Sequence, residues 1–391
     1  RLQAALEETR PQLFARAAQA SRCGALDAAV RAAEDALDKR LGAVARSWLM
    51  LADTLPRPDA AEGQAGAFRR AAVRARVSLR TDRGTPREDL VAQAERRAAG
   101  PTEVLEAGLL RAELRWRQGD HAGARASLDA IAAEASLTAP SLSNRVRGRR
   151  ACLELDAGQP AAALRACNRA RRPDGTLPAW LAVVDRRASI WTGDPARALV
   201  SPSAPLVEAR AHLLLGRPAT SRAGLEVAWR TAMTRDGTTR AEARLLLARL
   251  ELGDGRASVS RKMLEEVVLP RDAPAWLRPD RDAVALLLAL FAGDTAAGDK
   301  LAVEPPACLP PDWAPLAVRW WRLRGRPSAG EAAIQAAATR LSGPWGRAMT
   351  DTLQAWVALA TGDADAAAHA AARARDGAAK SGLADLGREA Q

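Results

Sequence analysis

Catalysis and metal binding need nucleophiles, bases or ligands at defined spacings, and this chain of 391 residues offers few. Its three histidines, His121, His212 and His369, lie far apart. Its four cysteines, Cys23, Cys152, Cys167 and Cys308, show no C-x-x-C spacing, so zinc and thioredoxin-like readings fail. Cys152 and Cys167 fall where two facing helices of one hairpin would place them, which admits a disulfide. Buried free thiols acting as small apolar residues are the simpler reading, and they point to a reducing compartment. There is no phosphate-binding loop, dinucleotide-binding glycine pattern, H-E-x-x-H or G-x-S-x-G. The paired acids Glu7-Glu8 and Glu265-Glu266 are adjacent and so project from different helix faces. The expectation is a chain with no catalytic residue, no metal site and no cofactor. An enzyme would require a pocket assembled from distant helices.

Charge is the next feature. The formal net charge is +12, and only four of the 58 basic residues are lysine (Lys39, Lys262, Lys300 and Lys380). Such a balance suits a polyanion or nucleic acid, yet acids are interspersed throughout and Arg/Ala-rich composition alone would produce it. The densest basic cluster is Arg145, Arg147, Arg149 and Arg150 on one helix, with Arg165, Arg169, Arg171 and Arg172 on the next. It lacks interleaved aromatics, so base stacking is not suggested. Eleven tryptophans stand against three Phe and no Tyr. They serve packing between helices or, for a few, anchoring of a partner.

The elements that would position these residues are helical. Ala, Leu and Arg dominate, and no period-2 alternation is long enough for a strand. Short links carry glycine at Gly24, Gly119, Gly158, Gly193, Gly216, Gly253, Gly293, Gly325 and Gly362. From Gly119 onward they recur at a mean of about 35 residues. Gly ends one helix, and the next one or two residues start another. Asp stands next to the glycine at 120, 194, 254, 294 and 363 as a cap, and Pro160, Pro218 and Pro327 take the first helical position. Five residues after each glycine stands a small residue: Ala29, Ala124, Ala163, Ala198, Ser221, Ser258, Gly298, Gly330 or Ala367. A closely packed hairpin needs one there. The Gly253 unit fits better in a register shifted onto Gly255.

The pattern resembles the tetratricopeptide repeat. Gly119-Asp120-His121, Ala124, Leu128 and Ile131 match best, with Ala112, Ala151, Ala209 and Ala355 at the small position of the first helix. The usual first-helix aromatics are mostly missing, and the Gly193 unit is cut short at Ser201-Pro202. The resemblance implies an all-α, right-handed superhelical solenoid of about ten hairpins. Residues 1–100 form irregular capping hairpins and 101–391 the repeat array, continuous as one solenoid. The irregular part pairs Leu2–Ala20 with Ala25–Asp38 around Gly24 and Ala43–Thr54 with Asp59–Leu79, then adds a helix over Arg87–Ala99.

In that family the first helix of each pair lines a concave surface. One such position lies six residues before the turn glycine and holds Glu113, Cys152, Arg187, Arg210, Arg319 and Trp356, with Arg249 in the shifted register. Its arginines would form a cationic stripe suited to carboxylates. With Trp116 and Arg117 in the best-preserved repeat, these are the candidate partner-binding residues. The expected function is a non-catalytic scaffold or sensor module that binds a protein or peptide, within a larger regulatory assembly. Similar repeats occur in regulatory halves of bacterial transcription activators and signalling ATPases. The alternatives are a polyanion-binding solenoid using the Arg145–Arg172 face and an enzyme with a composite pocket. The longest apolar run, Ala283–Ala292, is too short to cross a bilayer, and the N-terminus has no signal-peptide pattern. A cytoplasmic location is expected. The chain does not begin with Met, as an excised or processed segment would not.

Overall fold

A computed structural model describes residues 22–38, 42–54, 64–81, 87–171, 174–200, 204–232, 237–269 and 273–381. Among the described residues there are nineteen α-helices, two short 3-10 turns and no strand. The chain divides into two compact units, Arg1–Arg150 and Ala151–Gln391. The first contains α1 (Arg22–Asp38), α2 (Gly42–Thr54), α3 (Gln64–Thr81), α4 (Glu88–Arg97), α5 (Pro101–Arg117) and α6 (His121–Thr138). The division falls inside α7 (Pro140–Asp156). The second contains α8 (Pro160–Arg169), α9 (Ala179–Trp191), α10 (Pro205–Leu214), α11 (Pro218–Ala232), α12 (Gly237–Gly253) and α13 (Ala257–Glu265). It continues through α14 (Leu277–Ala292), α15 (Thr295–Ala302), α16 (Trp313–Leu323), α17 (Glu331–Arg340), α18 (Pro344–Thr361) and α19 (Ala364–Lys380).

Consecutive helices pack on one another, and alternate ones also touch: α10 on α12, α12 on α14, α14 on α16 and α16 on α18. This is the neighbour-to-neighbour packing of stacked hairpins. The links behave as their chemistry dictates. Gly119, Gly158, Gly193, Gly216, Gly255, Gly293, Gly325 and Gly362 all take positive φ. Asp120, Asp294 and Asp363 cap α6, α15 and α19 by accepting from Gly123, Ala297 and Ala366 N–H groups at 2.8–3.0 Å.

Three expectations at the links are corrected. Gly24 lies inside α1, because the chain there continues as helix; its proposed partner, Leu2–Ala20, lies outside the described residues. As the shifted register expects, Gly255 makes the turn between α12 and α13, so buried Ser260 replaces exposed Ser258 as the small residue of that hairpin. Asp254 consequently caps nothing and binds Arg222 and Arg256 instead. The Gly193 unit is indeed short, with a 3-10 turn at Arg197–Leu199 in place of its second helix.

The small residues sit where helices cross. Ala124, Ala163, Ala198, Ser221 and Ser260 have no exposed surface. Gly298 is the tightest case, since a Cβ there would lie 2.2 Å from the Trp320 ring. Around them, fully buried leucines such as Leu128, Leu225, Leu245 and Leu246 fill the layers. Each contributes about 2 kcal/mol of burial.

The second unit departs from purely local packing. Gly343 N–H donates to Thr192 O at 2.7 Å, and Gly346 N–H to Gly193 O at 2.9 Å. A Cβ on Gly193 would meet Gly346 Cα at 2.8 Å. Ala275 N–H donates to Asp156 O at 2.7 Å, beside the contact of Gly158 with Cys308. The unit is thus closed by contacts between its first two turns and loops more than a hundred residues later.

Candidate functional site

The position six residues before each turn glycine divides into two environments. In the first unit it is Glu113, which is buried in α5 and accepts from Arg149 Nε and Nη2 at 2.5 and 3.0 Å. Trp116 is also buried. Its ring meets His121 edge-on at 4.8 Å and lies under the Arg125 guanidinium at 5.3 Å. Only Arg117 of these three is exposed. His121 is exposed, and its ring rests on the edge of Trp116.

In the second unit, α9, α10 and α12 bring Arg187, Arg210 and Arg249 to an interior already filled by carboxylates. Arg210 forms a two-pronged pair with Asp280, Nη1 and Nη2 donating at 2.8 and 2.5 Å. Arg249 places Nη1 3.0 Å from Asp280 Oδ1 and Nη2 3.0 Å from Asp312 Oδ2. Arg187 Nη2 donates to Glu242 at 2.8 Å, and Glu242 lies 3.9 Å from Arg210 Nε. The result is an alternating ladder, Arg187–Glu242–Arg210–Asp280–Arg249–Asp312. Trp191 and Trp276, 5.6 Å apart, wall it, with Arg210 over the first ring and Arg187 over the second. Burial would raise the Asp280 carboxyl, but the Arg210 and Arg249 charges and hydrogen bonds outweigh it and hold the group down at about 2. Asp280 is fully buried and Arg210 only 2% exposed. The cationic stripe expected at Arg187, Arg210 and Arg249 is thus taken up by the chain's own acids, and Cys152 at the same position is half-buried.

The last three register positions differ. Leu287, Arg319 and Trp356, from α14, α16 and α18, line an apolar groove of about 460 Å³. Leu290, Phe291, Leu316, Arg322 and Leu323 complete it. Phe291 is 55% exposed and Leu323 73% exposed. The Arg319 and Arg322 guanidiniums, one helical turn apart, lie 5.3 and 5.6 Å from the Trp356 ring. Neither pairs with a carboxylate among the described residues. The groove is lined by first helices of three successive hairpins, and it is apolar toward α14 and cationic toward α18.

Sequence reasoning reached Arg319 and Trp356 but missed their companions. Leu287 stands at the same offset before Gly293, and Arg322 is one turn beyond Arg319; both signals were present. The basic cluster is dispersed among acids. Arg145 binds Glu106, Arg149 binds Glu113 and Arg150 binds Asp129 in the first unit. In the second, Arg171 reaches Asp185, Asn168 and the Gly175 carbonyl, Arg165 and Arg169 are exposed, and Arg172 lies outside the described residues.

Most tryptophans serve packing. Trp313, Trp320 and Trp321 donate from α16 to Leu301 O, Asp299 Oδ1 and Ala302 O at 2.8–3.3 Å. His369 is exposed, and burial followed by the Arg217 charge lowers the half-buried His212. Cys167 and Cys308 are buried free thiols; burial, then the Asp280 charge, pushes Cys308 up to about 12. Among the described residues no cluster of His, Cys, Asp and Glu could hold a metal, and no helix is long and apolar enough to cross a membrane. No protein-family model matches the chain, and no curated protein matches it either.

Proposed function

We propose that this chain is a non-catalytic interaction scaffold or sensor module that binds a peptide or protein partner in the groove between α14, α16 and α18. One observation carries the reading. Three successive first helices expose large apolar side chains on a shared face, where a soluble surface would place polar ones, and a contiguous apolar concavity of this kind marks a binding site. The repeat pattern, similar to right-handed tetratricopeptide solenoids, supports it, because such arrays present the first helices to partners. The groove lining has no acid, histidine or cysteine, which favours binding over chemistry. A role within a larger regulatory assembly goes with this reading. The test is in-cell crosslinking followed by isolation of the chain, comparing the natural sequence with Leu323→Asp. A specific partner retained by the first and lost by the second supports the proposal. A partner set unchanged by Leu323→Asp and by Phe291→Asp sinks it.

A further inference from the structure

Arg319 and Arg322 are exposed on α16 and pair with no carboxylate among the described residues. Other guanidiniums that reach across a helix surface find an acceptor: Arg111 at Glu95, Arg222 at Glu251 and Arg373 at Asp351 bind carboxylates, while Arg115 binds the Ser127 hydroxyl and Arg340 the Pro306 carbonyl. Arg319 and Arg322 instead share the ring of Trp356. Cation–π stacking holds a guanidinium through its face and leaves its in-plane N–H groups available. The two are three residues apart on α16, so they project on one side of that helix and form a paired set of donors. On α14, across the groove, Leu287, Leu290 and Phe291 offer only apolar surface. A wholly apolar ligand would leave both cations against it without a counter-charge, and a wholly acidic one would leave the leucines and Phe291 uncovered.

Resting on the groove reading above, we propose that the occupant is an acidic amphipathic segment of a partner protein. It lies in one orientation, with its apolar side chains against Leu287, Leu290 and Phe291 and an internal Asp or Glu carboxylate between Arg319, Arg322 and the edge of Trp356. Charge-assisted, two-pronged hydrogen bonds of that kind give specificity as well as affinity. The groove volume of about 460 Å³ suits a few side chains of such a segment, not a whole domain face.

The test uses the intact chain and a phage-displayed library of random 12-residue peptides, with clones that still bind Leu323→Glu removed. The dominant peptide is synthesised, labelled and titrated by fluorescence anisotropy. Circular dichroism confirms that Leu323→Glu and the doubly substituted Arg319→Gln/Arg322→Gln chain keep the helical fold, as solvent-exposed positions should. The expected result is enrichment of Asp or Glu beside Leu, Ile, Phe or Trp. Affinity falls at least tenfold when the peptide's acids become Gln or Asn, and this acid dependence disappears on Arg319→Gln/Arg322→Gln. Groove-dependent peptides without acids, or with acids that do not matter, overturn the carboxylate proposal and leave the groove reading standing. Failure to recover any Leu323-dependent peptide overturns both.

Discussion

Replacing Asp280 by Asn tests the ladder at its centre. The carboxylate is fully buried and serves two guanidiniums at once, Arg210 and Arg249. Asn keeps the shape but removes the charge, leaving two buried cations with one fewer counter-ion. Removing one partner of a buried ion pair costs about 3–5 kcal/mol. A second figure comes from protonation. The folded value of about 2 lies below the ordinary 3.8. At about 1.4 kcal/mol per unit, that difference amounts to about 2.5 kcal/mol. Because the folded value is depressed, this stability is fully present above pH 3.8 and is lost as pH falls toward 2. Urea unfolding followed by tryptophan fluorescence reads the transition. Trp191 reports locally, since its ring lies 5.5 Å from the Arg210 guanidinium. At neutral pH, Asp280→Asn lowers stability by about 3–5 kcal/mol. The gap from the natural chain narrows below pH 4 as Asp280 itself becomes protonated. Combining Asp280→Leu with Arg210→Met, Arg249→Leu and Asp312→Asn, so that no carboxylate is left without a cation, restores most of the loss, since apolar packing of similar volume replaces buried ion pairs at little cost. An Asp280→Asn chain within about 1 kcal/mol of the natural one at neutral pH would refute the placement of this carboxylate between two buried arginines.

Other positions give independent checks. Gly298→Ala puts a methyl into the Trp320 ring and costs about 1–3 kcal/mol in the same denaturation assay; an unchanged midpoint contradicts the α15–α16 crossing. Asp294→Ala and Asp363→Ala each lose a cap and cost about 1 kcal/mol, whereas Asp254→Ala, which caps no helix, leaves the local helix intact by hydrogen exchange. Cys308, buried and pushed up to about 12, resists a thiol reagent at pH 8 until denaturant is added; prompt labelling in the folded chain would contradict its placement.

The helical architecture was readable because each hairpin repeats the same local requirements. Gly119, Asp120 and Ala124 each answer a backbone need within a few residues, and those needs recur along the chain. The register position was readable for the same reason, since Arg210, Arg249, Arg319 and Trp356 share one offset from their glycines. What fills the space opposite was not. Asp280 lies 70 residues from Arg210 and Asp312 lies 63 from Arg249, and neither acid stands at a repeated offset. The turn-to-turn contact of Gly193 with Gly346 is equally invisible, because glycine–glycine approach over such a separation leaves no local pattern. One register position is thus an internal ladder on α9, α10 and α12 and lines an open groove on α14, α16 and α18.

Site-specific photocrosslinking examines that contrast between ladder and groove directly. A benzoylphenylalanine is placed in turn at Phe291, at Leu323 and at exposed Arg165, which is on α8 and does not line the groove. The expected result is one common crosslinked partner from Phe291 and Leu323, absent from Arg165 and abolished at Phe291 by Leu323→Glu. Equal crosslinking from all three positions, or none from the groove pair while Arg165 captures a partner, would contradict an open groove at α14, α16 and α18.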